Sequence, residues 1–220
     1  MKQSPTIRGV YLITDREACL GRPLDEVVLA AVEGGVSLVQ LREKEASTRA
    51  FVETAEQMKA LLAPHTVPLI INDRVDVALA VQADGMHVGQ DDMPYPLARK
   101  LAGPEAIIGL SVSNLEQIEQ ADAYDVNYLG VGSIFPSPTK PDAKGRWGLD
   151  GLAAVRRRSR HRLVAIGGID ESNAADVIRA GADCIAVVSA ICSAPDPYQA
   201  AQTLNQIVEE TLGARKEETK

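Results

Sequence analysis

PLIINDRVDVALAVQADGMHVGQDD, residues 68–92, holds the pattern that decides the fold. PLII (68–71) is a short, uninterrupted apolar run. DRVDVALAVQA (73–83) is helix-like, and GMHVG (85–89) is a second short apolar run. Strands that are apolar along their whole length are buried on both faces, and such strands separated by helices lie parallel in a sheet that the helices cover.

The same alternation continues in both directions. Towards the N-terminus, VYLIT (10–14) precedes LDEVVLAAVEGG (24–35), and VSLVQL (36–41) precedes STRAFVETAEQMKALL (47–62), with Ser47 or Thr48 as its N-cap. Towards the C-terminus, GMHVG precedes PYPLARKLA (94–102), AIIGLSV (106–112) precedes NLEQIEQAD, and NYLGVG (127–132) precedes LDGLAAVRRR (149–158). RLVAIG (162–167) then precedes ESNAADVIRAG, and CIAVVS (184–189) precedes DPYQAAQTLNQIVEET. Eight strand–helix pairs in 220 residues predict an α/β fold, a single (β/α)8 TIM barrel over residues 1–213. A doubly wound sheet would place a G-x-G-x-x-G turn after its first strand, and TDREACLGR is no such turn. The charged residues 214–220 are expected to fray. FPSPTKPDAKGRWG (135–148) is too long for an ordinary connection, which leaves a lid or a disordered loop.

Composition narrows the function. With 45% hydrophobic and 24% charged residues the chain is an ordinary globular protein. Its 23 basic and 30 acidic residues give a net charge of −7, which argues against nucleic acid or an anionic membrane as partner. Cys19, Cys184 and Cys192 are odd in number and form no C-x-x-C pair, so neither a disulfide framework nor a zinc site is expected. The first residues lack the apolar run of a signal peptide. Together these features predict a soluble protein of the reducing cytoplasm.

Barrels carry their chemistry at the C-terminal ends of their strands. The residues there are Thr14, Gln40, Arg42, Lys44, Asn72, Asp73, Gln90, Asp91, Asp92, Ser111, Gly167, Gly168 and Ser189, with Lys140 on the long loop. In QLREK, Gln40, Arg42 and Lys44 alternate and so share one side of an extended chain. Such a pair of cations suits a multiply charged anion, unless Glu43 and Glu45 cancel them in a solvated loop. Asp73 and Asp92 follow neighbouring strands and could hold a hard cation such as Mg²⁺; Asn72, Asp73 and Asp92 read equally well as helix N-caps. The amides around Gly167–Gly168 and in VVSAI (187–191) stand where many barrels bind phosphate, although the glycines could simply turn the chain before Asp170. His87 lies within a strand and reads as packed or hydrogen-bonded. His65 and His161 read as surface residues, and RRRSRHR (156–162) as a solvated helix end at the bottom of the barrel.

These motifs, taken in order from YLITD through VQLREK, INDRVDVALAVQADGMHVGQDD, GLSVSN, YLGVGSIFPSPTKPDA and VAIGGI to VVSAI, resemble the thiamine-phosphate synthase family over nearly the whole chain. The resemblance implies an Mg²⁺-dependent transferase that joins a hydroxymethylpyrimidine diphosphate to a thiazole phosphate and releases pyrophosphate. It places Gln40, Arg42, Lys44, Asn72, Ser111 and Lys140 on the pyrimidine diphosphate, Asp73 and Asp92 on Mg²⁺, and Ser137, Thr139, Gly168, Val188 and Ser189 on the thiazole phosphate. Many members have threonine where Ser137 stands, followed here by Pro138. In the family's ionisation mechanism the diphosphate departs, the aminopyrimidine delocalises the resulting cation, and the thiazole nitrogen captures it. Arg42, Lys44 and Lys140 would neutralise the departing anion, and the 135–148 loop would act as a lid against water.

Two other readings share this barrel. A related thiazole tautomerase would carry a histidine two places after the serine of the GLSVSN-type segment, where this chain has Ser113. A non-catalytic phosphate-binding relative would lose a metal carboxylate or Lys140, and both are retained. The implied partners are small molecules, with self-association into a homo-oligomer left open.

Overall fold

The computed structural model describes residues 7–136 and 146–218. Eight parallel strands close into a barrel in sequence order, β1 pairing with both β2 and β8. The strands are β1 (Gly9–Ile13), β2 (Leu38–Leu41), β3 (Leu69–Asn72), β4 (Gly85–Val88), β5 (Ile107–Val112), β6 (Tyr128–Gly132), β7 (Leu163–Ile166) and β8 (Cys184–Val187). Around them run α1 (Leu24–Glu33), α2 (Thr48–Leu62), α3 (Val75–Ala80), α4 (Tyr95–Ala102), α5 (Leu115–Ala121), α6 (Gly148–Arg158) and α7 (Ala174–Arg179), followed by a short α8 (Ser189–Cys192) and a long α9 (Pro197–Glu218). The expected (β/α)8 barrel is therefore present. Ser47 caps α2 as its sequence predicts, its side chain accepting a hydrogen bond from the Ala50 amide. The helix α8 is the unexpected element: CIAVVS reads as one strand, but β8 stops at Val187 and the chain turns into a helix at Ser189.

Strand alternation divides the core into two shells. Tyr11 and Ile13 point into the barrel, while Val10 and Leu12 point out to the helices. The inner shell continues with Leu38, Ile70, Ile107, Tyr128, Val164, Cys184 and Ala186. Aliphatic residues usually fill such an interior, so two tyrosines in it are a departure that bears on function.

At the bottom of the barrel one device recurs. The side chain of the residue immediately before β4, β6 and β8 accepts a hydrogen bond from an early amide of the preceding strand. Asp84 does so for Leu69 at 2.9 Å, Asn127 for Ile108 at 2.8 Å and Asp183 for Leu163 at 2.9 Å. Each closes one β–α–β step by satisfying an amide near the strand's N-terminal end.

The basic run at this end is solvated as expected at Arg157, Arg158 and Arg160, but part of it is tied to the barrel. Arg156 and Arg162 both pair with the buried carboxylate of Asp183, at 3.1 and 3.0 Å, and His161 is buried. Arg215 joins them, donating to the Ile178 and Ala182 carbonyls at 2.9 and 2.8 Å and facing Asp183 at 3.4 Å. Arg215 thereby ties the last turns of α9, which runs to Glu218, to the bottom of the barrel.

Candidate active site

Gln40, Arg42 and Lys44 leave the end of β2 at the barrel mouth. Gln40 is buried, and its Nε2 donates to the Tyr11 hydroxyl at 2.8 Å. The Thr14 hydroxyl accepts from the Arg42 amide at 3.0 Å and holds the chain in place there. The Arg42 guanidinium lies 3.4 Å from Asp15, and the Lys44 ammonium 2.6 Å from Asp73. Glu43 instead pairs with Arg16 at 2.7 Å. Glu43 therefore does not cancel its two neighbours; carboxylates on other loops pair with them at the mouth.

Asp73 follows β3 in a left-handed conformation, with φ near 60°. An aspartate tolerates this region better than most residues, but it still costs energy and calls for a compensating role. Its amide donates to the His87 carbonyl at 2.8 Å, and its carboxylate reaches Lys44 rather than capping α3, whose N-cap position is Arg74. Asp92 is no cap of α4 either. Its carboxylate closes a turn by accepting from the Gly89 amide at 2.7 Å, while Pro94 holds the N-cap position. The simple capping explanation thus fails for both aspartates.

The two carboxylates act on each other, and their acidities diverge. Burial pushes Asp73 up, but its bonds to Lys44 and Asp92 outweigh that and leave it below the usual carboxylate range. Burial also pushes Asp92 up; the Gly89 amide opposes this, but contact with the charged Asp73 adds to it, and Asp92 stays raised. Among the described residues, Lys44 is the one lysine beside these two neighbouring acids. That donor set suits a hard divalent cation, which commonly takes one or two protein carboxylates and completes its shell with water and substrate phosphate. No cluster of three or more His, Cys, Asp or Glu able to hold a metal occurs among the described residues.

Beneath the mouth, Asn72 is level with His87 in the β3–β4 register, which puts both on the interior side. His87 Nε2 meets the Ser111 hydroxyl at 2.8 Å, and its Nδ1 meets the Tyr128 hydroxyl at 3.1 Å. The Gln90 amide donates to the Ser111 carbonyl at 2.5 Å and steadies the end of β5. On the opposite wall, Gly167 and Gly168 take positive φ values of 106° and 62°. A side chain on Gly167 would collide with Ser133, and one on Gly168 with the Pro136 carbonyl, so the glycines admit the loop that follows β6. Asn173 holds the Gly168 carbonyl at 2.9 Å. Val188 and Ser189 lead into α8, whose opening amides have no acceptor within the helix.

The structure thus brings Gln40, Arg42, Lys44, Asn72, Asp73, Asp92 and Ser111 to the β2–β5 side of the mouth, and Gly168, Val188 and Ser189 to the β7–β8 side. Ser137, Thr139 and Lys140 lie outside the described residues. Sequence reasoning passed over Tyr11, Tyr128 and Asp15. The two tyrosines did carry a signal, as large polar side chains at inward positions of otherwise aliphatic strands.

The profile of the family described as thiamine monophosphate synthase matches residues 10–191. The chain belongs to that family. It is 54% identical over 200 residues to a thiamine-phosphate synthase of Albidiferax ferrireducens, with 91% of each chain covered. It is 50% identical to one of Vibrio campbellii, covering 89% of this chain and 95% of that one. Among solved structures, a thiamine phosphate pyrophosphorylase from Pyrococcus furiosus superposes with a TM-score of 0.87 at 41% identity, covering 96% of this chain and all of the other. A 3-hexulose-6-phosphate synthase from Salmonella typhimurium, at 20% identity and a TM-score of 0.70, shares the fold.

Proposed function

We propose that this enzyme condenses 4-amino-2-methyl-5-hydroxymethylpyrimidine diphosphate with a thiazole phosphate, forming thiamine phosphate and pyrophosphate. The family relationship supports the reaction, and one observation ties it to this chain. Arg42, Lys44, Asp73 and Asp92 gather at the ends of neighbouring strands, with Lys44 and Asp73 in direct contact and Asp92 held above the usual carboxylate range, chiefly by burial. This arrangement is fit to receive a diphosphate together with a divalent cation.

Asp73 and Asp92 would hold Mg²⁺, which supplies positive charge to the oxygens of the diphosphate. Lys44 is held at the entrance by Asp73 and would turn towards the arriving anion, and Arg42 would grip the same group bidentately. As the carbon–oxygen bond to the diphosphate breaks, negative charge builds on the leaving group, and fixed cations stabilise it most at that moment. Lys140 would add a third cation. Gln40, Asn72 and Ser111 would orient the pyrimidine so that its exocyclic carbon faces the thiazole nitrogen, and no protein nucleophile is needed. The thiazole phosphate would lie against Gly168, Val188 and Ser189, with Ser137 and Thr139 reaching the same substrate. The buried thiols are in keeping with a cytoplasmic location.

Purified protein mixed with both substrates and Mg²⁺ should release pyrophosphate and form thiamine phosphate, and omission of either substrate or addition of excess chelator should stop it. Undiminished synthesis in chelator would remove the metal assignment; no synthesis under any condition would remove the reaction.

A further inference from the structure

Five side chains on five strands form one unbroken hydrogen-bond chain across the barrel. Gln40 Nε2 lies 2.8 Å from the Tyr11 hydroxyl, which lies 2.9 Å from the Tyr128 hydroxyl. The Tyr128 hydroxyl is 3.1 Å from His87 Nδ1, and His87 Nε2 is 2.8 Å from the Ser111 hydroxyl. Tyr11 and Tyr128 are 1% and 0% exposed, so bulk solvent does not reach them. The barrel wall makes room for them. A Cβ on Gly109 would lie 2.1 Å from the Tyr128 ring and 2.5 Å from His87 Nδ1, and one on Gly130 would lie 2.9 Å from His87 Cε1. The rings of Tyr128 and His87 stack in that gap, with centroids 5.5 Å apart. Burying polar groups where aliphatic ones would serve costs stability, and a fully satisfied network is what makes it tolerable.

We propose that Tyr11, Tyr128 and His87 are positioning residues whose one-way hydrogen-bond chain fixes Gln40 as an acceptor and Ser111 as a donor towards the pyrimidine. The direction follows from the donors. The Gln40 amide donates to Tyr11; Tyr11 then donates to Tyr128, and Tyr128 to His87 Nδ1. As the acceptor of that bond, Nδ1 is bare, so the ring proton sits on Nε2, from which it donates to the Ser111 oxygen. Ser111 is left to aim its own proton into the pocket, while Gln40 keeps its carbonyl for the ligand. Burial pushes both phenols above their ordinary acidity, which keeps them protonated and able to donate. The carbonyl at one end of this chain and the hydroxyl proton at the other are of opposite character, and an aminopyrimidine offers opposite partners: a donating amino group and accepting ring nitrogens. The inference rests on the proposed reaction for its ligand but not for its chemistry.

Nitrogen-15 NMR of the ligand-free protein, with its three histidines labelled and His87 assigned through His87→Gln, tests the chain directly. His87 should show a protonated Nε2 and a bare, hydrogen-bonded Nδ1. Tyr128→Phe should move the Nδ1 resonance towards that of an unbonded nitrogen. It should also raise the KM for the pyrimidine diphosphate about tenfold, the worth of one net hydrogen bond, and leave the thiazole KM within about twofold. Tyr11→Phe should spare the His87 resonances, because Tyr128 still donates, yet raise the same KM. A protonated Nδ1 in the parent overturns the proposal, as does a Tyr128→Phe protein with unchanged resonances and pyrimidine KM. Failure of the parent to make thiamine phosphate would overturn the assigned reaction instead, while the ligand-free resonances still decide the chain.

Discussion

The two ends of the barrel treat their buried acids in opposite ways. At the bottom, Asp183 meets three arginines and the Leu163 amide, so every lone pair has a donor. At the mouth, among the described residues, Asp73 and Asp92 share the one lysine, Lys44, and shift each other's acidity. The first arrangement closes a corner of the fold. The second leaves charge unbalanced, and charge is left unbalanced where something else is meant to bind. The same residue types therefore read as architecture at one end and as chemistry at the other, and what separates them is the completeness of their pairing.

Substitutions at each end should break this contrast in different observables. The largest effect is expected from Asp92→Asn, which should lower synthesis roughly a hundredfold at limiting magnesium, because a bound cation supplies several kcal/mol of charge stabilisation. The ligand-free protein should nevertheless be as stable as the parent or slightly more so. An acid whose pKa is raised by folding favours the fold only while protonated and costs stability once the pH rises past that pKa, and asparagine removes that cost. Kinetics and a thermal melt on the same variant check both halves.

Asp183→Asn should do the reverse. Three arginines would lose their anion, and the loss should be about 2 kcal/mol, below the figure for a fully buried pair because the arginine side chains are 31% to 56% exposed. The denaturation midpoint should fall, while the KM values of the folded enzyme stay put. If Asp183→Asn impaired catalysis in the folded protein as strongly as Asp92→Asn, the division between the two ends would be wrong.

Ser189→Asp should have a smaller and selective effect. A carboxylate beside the thiazole phosphate adds like-charge repulsion, so the thiazole KM should rise about tenfold while the pyrimidine KM changes little. Equal changes in both would place the thiazole phosphate elsewhere. The smallest effect concerns the thiols. Cys19, Cys184 and Cys192 are buried, and burial pushes all three upwards in pKa, Cys192 to about 12. A thiol reagent should leave the native protein nearly unlabelled at neutral pH and react fully only after denaturation.

Much of this was legible in the sequence because it depends on local order. The apolar runs of PLII and GMHVG, separated by one helix length, already specify parallel neighbours, and eight such steps specify a closed barrel. Once the barrel is given, the polar residues after each strand must converge, and Gln40, Asp73, Asp92 and Ser111 could be named from position alone. Elsewhere the local signal misled. Asp73 and Asp92 look like helix caps, His161 within RRRSRHR looks exposed but is buried, and VVSAI hides the start of a helix. In each case the outcome depends on a partner far away in the chain or on a backbone turn that composition does not encode.

The sequence by itself determined the alternation, the closure and the set of residues at the mouth, since strand and helix periodicities are properties of neighbouring residues. Only the tertiary structure decided their pairing: Lys44 with Asp73, Arg215 with Asp183, and Gln40 with Ser111 through Tyr11, Tyr128 and His87. The physical reason is that a hydrogen bond or ion pair is made between atoms a few ångströms apart. For Tyr11 and Tyr128, 117 residues separate the partners along the chain, and only barrel closure, with glycines on β5 and β6 leaving room, brings their hydroxyls together.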